Sequence, residues 1–242
     1  MLRRDTLRKL LAPMDPEEFV GTYWKQKSVY IPGHVDKLPG LFSSKAFHQA
    51  IAIAANSPDS RRLGFGITAA VETPIPASAV ATEYDAGKTI CVSSIHAGDE
   101  ALAEFATELK SQLSFSGRVS VHAYLSPPGT GFSFAHFDAR IATAIQIEGR
   151  KKWRFADRSS IPWPIHNGTI SENGVIEWQR PPTPWEQQIK PVMDLEWTEL
   201  VLEPGDLLCL PAGTLHEAEA VDGHSLSLNV NFSRTGSIPL IR

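Results

Sequence analysis

Along the second half of the chain apolar and polar residues alternate with a period of two, whereas the first half repeats them at helical spacing. Val119, Val121, Ala123 and Leu125 alternate with polar neighbours, which predicts a half-buried strand ended by Pro127-Pro128-Gly129. Two more strands are predicted over 141–147 and 151–155, paired through a turn at Glu148-Gly149, and others over 199–202, 207–210 and 225–232. Upstream, Asp15-Pro16-Glu17-Glu18 offers an N-cap acceptor, a proline for the first turn and a glutamate for a capping box. A helix therefore starts there and runs through Phe19, Val20, Tyr23 and Trp24, followed by a short strand over 28–32. Ser43 or Ser44 caps a second helix with Phe47, Ile51 and Ala54 on one side, and a third from about Asp99 carries Leu102, Phe105, Leu109 and Leu113. Short strands separated by Gly/Pro turns, behind a helical N-terminal part, give an α+β chain whose core is a β-barrel or sandwich. We divide it into a region 1–117 that packs on a barrel formed by 118–242.

Segment 157–198 fits neither period. It is rich in proline and holds Trp163, Trp178, Trp185 and Trp197. A connection of that length is usually functional or disordered, and four tryptophans argue against disorder. It is expected to edge or cover an active-site mouth and help choose the substrate, or else to make a homodimer contact.

Composition narrows the class without naming a chemistry. The 242 residues suffice for one sizeable core, and 42% hydrophobic with 21% charged residues suits a soluble globular protein. A net charge of −4 gives no indication of nucleic-acid binding, although it does not exclude a local basic groove. Cys91 and Cys209 are far apart and in no ligand spacing, so two buried thiols in a reducing compartment are expected. No apolar run approaches the ~20 residues of a spanning helix. The N-terminus lacks the long apolar stretch and cleavage site of a signal peptide. A soluble cytoplasmic protein without membrane association is the expectation.

The candidate chemistry lies in two motifs. In Phe134-Ala135-His136-Phe137-Asp138 a histidine and a carboxylate are two residues apart, and on a strand both point to one face. Eighty residues later Gly205-x5-Pro211-x-Gly213-x2-His216 supplies a second histidine after a turn. Two imidazoles and one carboxylate leave three adjacent positions open on an octahedral ion, as a non-haem iron(II) oxygenase needs to bind co-substrate and dioxygen together. A His-x-Asp alone occurs readily as a hydrogen-bonded structural pair; the long second motif makes the metal reading specific. The other histidines, His34, His48, His96, His122, His166 and His224, have no partner at ligand spacing and read as surface or satisfied core residues. Glu217 and Glu219 read as solvated.

On these motifs the chain resembles the JmjC-type 2-oxoglutarate oxygenases, and most closely their ribosomal-oxygenase-like subgroup. Gly205–His216 is similar to the second cupin motif, and His136-x-Asp138 stands where ordinary cupins have two histidines. The likeness extends to Phe19–Lys27, Tyr124-Leu125-Ser126-Pro127 and Gln146–Trp153. It implies a double-stranded β-helix (cupin/JmjC jelly-roll) barrel, a metal site of Fe(II) on His136, Asp138 and His216, and 2-oxoglutarate and dioxygen as co-substrates. It further implies that Lys151, fifteen residues after the first histidine, pairs with the far carboxylate of 2-oxoglutarate. Alternation agrees, because Lys151 shares a face with Trp153 and Phe155 while Lys152 pairs with Arg154; the alternative is one of three surface cations. By the same resemblance Tyr124 lends its hydroxyl to the co-substrate and Asn231 and Ser133 border its pocket. Tyr124 reads equally as a packed aromatic and Asn231 as an outward amide. Arg140 is expected near the substrate mouth.

The subgroup carries a helical dimerisation region and a winged-helix module after its barrel. This sequence stops at Arg242, about ten residues past the last predicted strand, so neither module is expected. Protein, peptide, free amino acid and small metabolite all stay open as substrates. Two rival classes remain: a cupin-type metalloenzyme that works without 2-oxoglutarate, and a non-catalytic metal-binding barrel.

Overall fold

A computed structural model describes residues 5–56, 66–69 and 73–234. Its helices are α1 (Thr6–Leu11), α2 (Pro16–Glu18, widening into a π-helical turn over Phe19–Tyr23), α3 (Ser44–Asn56), α4 (Val80–Asp85) and α5 (Glu100–Gln112). Its strands are β1 (Val29–Ile31), β2 (Gly66–Ala69), β3 (Thr73–Pro74), β4 (Ile90–Ser93), β5 (Arg118–Ser126) and β6 (Gly131–Phe137). They continue with β7 (Ile141–Ala156), β8 (Gly168–Ile170), β9 (Ile176–Trp178), β10 (Trp197–Leu202), β11 (Leu207–Leu210) and β12 (Leu215–Ser233).

The helix starts follow the capping chemistry. The Asp15 carboxylate accepts from Glu17 N–H at 2.7 Å and that of Asp99 from Leu102 N–H at 3.0 Å. Of the two serines before α3, Ser43 caps it, accepting from Ala46 N–H at 3.3 Å. Ser44 instead donates to the Glu148 carboxylate at 2.5 Å and so ties α3 to the sheet. Leu102, Phe105 and Leu109 of α5 bury the predicted stripe, together with Phe47, Trp24 and the inner rows of β5 and β12, in one core beneath the sheet. The side chain of Ala54 lies outside the described residues.

Two long strands make the architecture. The first half of β7 pairs with β11 and the second half of β12, and its second half pairs with β10 and the first half of β12. Two sheets result, sharing β7 and β12 at the bend: β1-β11-β7-β12-β5-β4-β2-β3 on one side and β10-β7-β12-β6-β8-β9 on the other. This is a double-stranded β-helix, and the sheet runs without a break from β5 into β4 and β2 of the N-terminal region.

The turn expected at Glu148-Gly149 is therefore corrected: β7 is one strand that bends there and keeps the same partner, β12, on both sides. Gly149 permits the bend because it takes φ +65°, and a Cβ there would lie 1.9 Å from the His224 carbonyl oxygen. Gln146 fixes it from inside. Its Nε2 donates to the carbonyls of Glu148 and Gly149 at 2.9 and 3.2 Å and to Ser225 Oγ at 2.9 Å. Sequence patterning also missed α1, α4, β2–β4 and the β8–β9 hairpin, each too short to repeat its period more than about twice.

Candidate metal centre

A cavity of about 560 Å³ opens between the two sheets, and His136, Asp138, His216, Lys151 and Tyr124 all line it. His136 lies near the end of β6 and faces His216 at the start of β12, residue opposite residue in the ladder. Their rings are neighbours, with centroids 4.3 Å apart. Each imidazole spends its Nδ1 on a backbone carbonyl two residues back: Phe134 at 3.0 Å for His136, Thr214 at 2.9 Å for His216. Nδ1–H donates in that geometry, which leaves the lone pair on Nε2 for an electrophile.

Asp138 follows directly on β6. The Asp138 carbonyl accepts from Gly213 N–H at 2.7 Å, which locks the segment bearing the carboxylate to the turn that leads into His216. Gly213 takes φ +82°, and a Cβ on it would sit 1.9 Å from the Ile161 carbonyl oxygen. Its own carbonyl accepts from Ser160 and Ile161 N–H at 2.9 and 3.1 Å. The motif glycine thus joins both candidate ligand segments to the start of 157–198.

Among the described residues, no three His, Cys, Asp or Glu side chains are arranged as a finished metal site. The Asp138 carboxylate faces the Arg140 guanidinium instead, 3.4 Å away. Chemically the donor set suits a divalent ion. Burial works to raise the Asp138 carboxyl, but Arg140, then His216 and His136, outweigh it and hold it below its ordinary value. Burial, with help from His136, pushes His216 down to about 4 and so keeps the ring neutral, the form that binds metal.

Lys151 lines the cavity from β7 as a buried cation. It is 3% exposed, and Nζ donates to Ser126 Oγ at 3.2 Å. Among the described residues no carboxylate pairs with it. Burial brings its ammonium down to about 8, opposed by the Cys91 thiol. The outward neighbours behave as alternation requires: Lys152 pairs with Glu199 at 3.0 Å and Arg154 with Glu217 at 2.9 Å. Glu217 is accordingly an ion-pair partner on the outer face.

Tyr124 lines the cavity beside Cys91; burial first, then Cys91, raises its hydroxyl well above the ordinary value. Asn231 is buried and on the inward face, yet in this half of β12 the cavity is lined by Asn229 and Ser227, one and two pleats nearer the bend. The side chain of Ser133 lies outside the described residues. Arg140 lines the cavity as expected.

Several lining residues were not expected here. His122 stands in the wall near Arg140 and Asp138, where burial, aided by Arg140, drives its imidazole down to about 3. Thr68, Cys91 and Ser93 come from the β2–β4 extension. Alternation from Tyr124 and from Asn231 could have found His122, Ser227 and Asn229 beforehand.

The segment 157–198 forms one rim. Asn167, Gly168 and Thr169 of the β8 strand and its approach, and Glu177, Trp178 and Gln179 around β9, line the cavity. Register places His136 opposite Thr169. The segment is organised by Glu186, whose side chain is fully buried and whose Oε1 accepts from Ile165 and His166 N–H at 2.9 and 2.8 Å. Its Oε2 accepts from Thr183 N–H, Thr183 Oγ1 and His166 Nδ1, each at 2.9 Å. Burial works to raise the Glu186 carboxyl, yet the Thr183, His166 and Ile165 N–H groups outweigh it and bring it to about 2.

Comparison with known proteins agrees with this architecture. The family model of a JmjC domain matches residues 99–238, more than half of the chain. Ribosomal oxygenase 1 of Danio rerio is 28% identical over 234 residues, covering 92% of this chain and 39% of that protein. A Bacillus subtilis protein named only as uncharacterized YxbC is 26% identical over 253 residues, covering 97% of this chain and 73% of its own length. A solved structure of YcfD, described as a ribosomal oxygenase from Escherichia coli in complex with cobalt and 2-oxoglutarate, superposes with a TM-score of 0.59 at 17% identity. It covers 93% of this chain and 53% of the other. This chain thus spans about two-fifths of the fish oxygenase and about half of the bacterial one.

Proposed function

This chain belongs to the JmjC domain family, and from that premise we propose an iron(II)- and 2-oxoglutarate-dependent oxygenase that hydroxylates a C–H bond of a protein, peptide or amino-acid side chain. Lys151 is the observation that carries the reading. A buried ammonium without a carboxylate partner among the described residues, in a cavity that also holds two Nε2 lone pairs and an ionised aspartate, calls for an anion that enters from outside. A five-carbon diacid meets both needs, one carboxylate for the ammonium and an oxo-acid end for a metal. The cobalt and 2-oxoglutarate named for the YcfD neighbour agree with this.

His136, Asp138 and His216 would hold the iron. When bound, iron with the oxo acid and dioxygen supplies the oxidising power that no protein side chain has. The chain's own residues bind, orient and shield. Lys151, positioned by Ser126, fixes the far end of the diacid, and the Nδ1 bonds to Phe134 and Thr214 set both imidazoles. Gly213 keeps the Asp138 segment beside His216. Phe132, Phe137 and Trp153 line the cavity with rings that exclude bulk water. The β8–β9 rim and Arg140 stand where a substrate enters.

The test is succinate release from 2-oxoglutarate with added iron(II) by the whole chain, with His136→Ala and Lys151→Met as controls. Turnover that both substitutions abolish is the expected result. Full turnover in His136→Ala, or no binding of 2-oxoglutarate with metal present, overturns the reading. The Asp138–Arg140 contact favours a further reading, distinct from the metal-binding rivals: a barrel that holds no iron, for which absence of any metal uptake in titration would decide.

A further inference from the structure

Arg140 follows the candidate ligand Asp138 by two residues, between β6 and β7, and its side chain lines the cavity. That side chain is 24% exposed, so unlike the buried Lys151 it is open to whatever enters. Its Nη2 lies 3.4 Å from Asp138 Oδ1, longer than the roughly 2.7–2.9 Å of a charge-assisted hydrogen bond. The two charges face each other without being clamped together.

The wall beside Arg140 is made of neutral groups able to donate. Ala139 N–H donates to Asn167 Oδ1 at 2.9 Å, which fixes the carboxamide and leaves its NH2 as the half that can donate into the cavity. Gln179 stands in the same row of the rim, tied to Asn167 by its N–H bond to the Asn167 carbonyl at 2.9 Å, and lines the cavity with a second amide. His122, from β5, stays uncharged through burial and through Arg140 itself. The carboxylate of this rim, Glu177, is two residues away along β9, opposite Thr169, and exposed to water. A charge count agrees. A divalent ion on the proposed ligands takes up the charge of Asp138, and a dianionic oxo acid then balances that ion together with Lys151. Arg140 is left as the cation of the cavity whose charge the co-substrate does not meet.

We infer that Arg140 and Asn167 form a subsite for a carboxylate of the substrate, so that the compound oxidised here is acidic. This rests on the function proposed above and narrows it. A planar guanidinium takes a carboxylate through two parallel N–H···O bonds, which fixes orientation as well as charge. Because Arg140 faces a proposed metal ligand, the carbons adjoining the bound carboxylate are the ones presented for oxidation. The carboxylate belongs either to an acidic side chain within a peptide or to the α-carboxyl end of an amino acid or peptide.

The experiment uses the whole chain loaded with zinc(II), which supports no turnover, and with 2-oxoglutarate. Affinities are measured by ligand-observed NMR for four probes: N-acetyl-glutamate N-methylamide, N-acetyl-alanine with a free carboxylate, and the N-methylamides of N-acetyl-glutamine and N-acetyl-lysine. At least one of the two carboxylate probes is expected to bind roughly tenfold or more tighter than the glutamine and lysine probes. Which of the two wins tells a side-chain carboxylate from an α-carboxylate. In Arg140→Gln that preference disappears, while zinc and 2-oxoglutarate affinities do not fall. Equal or tighter binding of the neutral or cationic probes overturns the inference. So does a preference that survives in Arg140→Gln, since the carboxylate then sits on the metal, and so does a parallel loss of zinc and 2-oxoglutarate, since Arg140 then only supports the centre. If zinc and 2-oxoglutarate bind and neither carboxylate probe does, the inference is wrong while the proposed function stands. Failure of the wild type to bind 2-oxoglutarate with zinc present removes both. The ranking of probes on the wild type needs no substitution, so a misfolded variant does not spare the idea.

Discussion

The inner end of the cavity and its rim are built in opposite ways. At the inner end Lys151, Trp153, Tyr124 and His216 project from long strands that are paired with other strands on both sides. At the rim Asn167 to Thr169 and Glu177 to Gln179 sit on short strands within a proline-rich excursion, where a single carboxylate, Glu186, collects the free N–H groups. Ladder hydrogen bonds hold the inner residues in place at no extra cost in specific sequence. The rim has few such bonds and depends on one buried side chain. A rigid frame for the chemistry with a separately held border is how one fold serves many substrates.

That contrast can be broken most severely at the inner end. His136→Ala removes a proposed ligand and should reduce both metal uptake and succinate formation to background, measured by metal titration and a turnover assay; metal binding within threefold of wild type would contradict it. Next in size, Lys151→Met should weaken 2-oxoglutarate binding by roughly a hundredfold, because it strips the counter-charge from a buried carboxylate, while leaving metal affinity near wild type. The same group gives a pH test. Its ammonium loses its proton near 8 in the free protein, so 2-oxoglutarate affinity should fall as pH rises through that value, and the fall should vanish in Lys151→Met.

The rim should respond differently. Glu186→Gln loses the charge that several donors share, at about 1–3 kcal/mol for each donor left unmet, and should expose 157–198 to protease while metal binding at the inner end persists. With the folded carboxyl at about 2 against an ordinary 4.5, the Glu186 contribution is complete above about 4.5 and lost as pH falls toward 2. Proteolysis within this segment should rise over that window, and a rise that is identical in Glu186→Gln would sink the assignment. The smallest effect is expected from Glu177→Gln, an exposed rim change that should alter 2-oxoglutarate affinity by less than about twofold. A change beyond tenfold would mean that rim and inner end are not separable.

Much of this was legible beforehand, and the reasons differ by element. Asp15, Ser43 and Asp99 announced their helices because capping is a local bond between neighbours. Strands 118–126 and 207–210 showed themselves by alternation or by a continuous apolar run. The inward direction of Lys151 followed from its parity with Trp153 and Phe155. By contrast, Gly149 reads as a turn in sequence and acts as a bend, because only the shared partner β12 distinguishes the two. Asn231 has the right parity but lies beyond the cavity, and parity carries no information about depth along the strand.

The amino-acid sequence by itself determined what depends on neighbours within a few residues: helix caps, strand faces, the spacing of His136 and Asp138, and the long motif ending in His216. Tertiary structure alone decided what depends on residues distant in the chain. It set Cys91 beside Tyr124, His122 near Asp138, and the Glu186 hub within the rim. The physical reason is that backbone hydrogen bonding and side-chain parity are short-range and periodic, whereas burial and charge pairing depend on where a rolled sheet brings its two faces together.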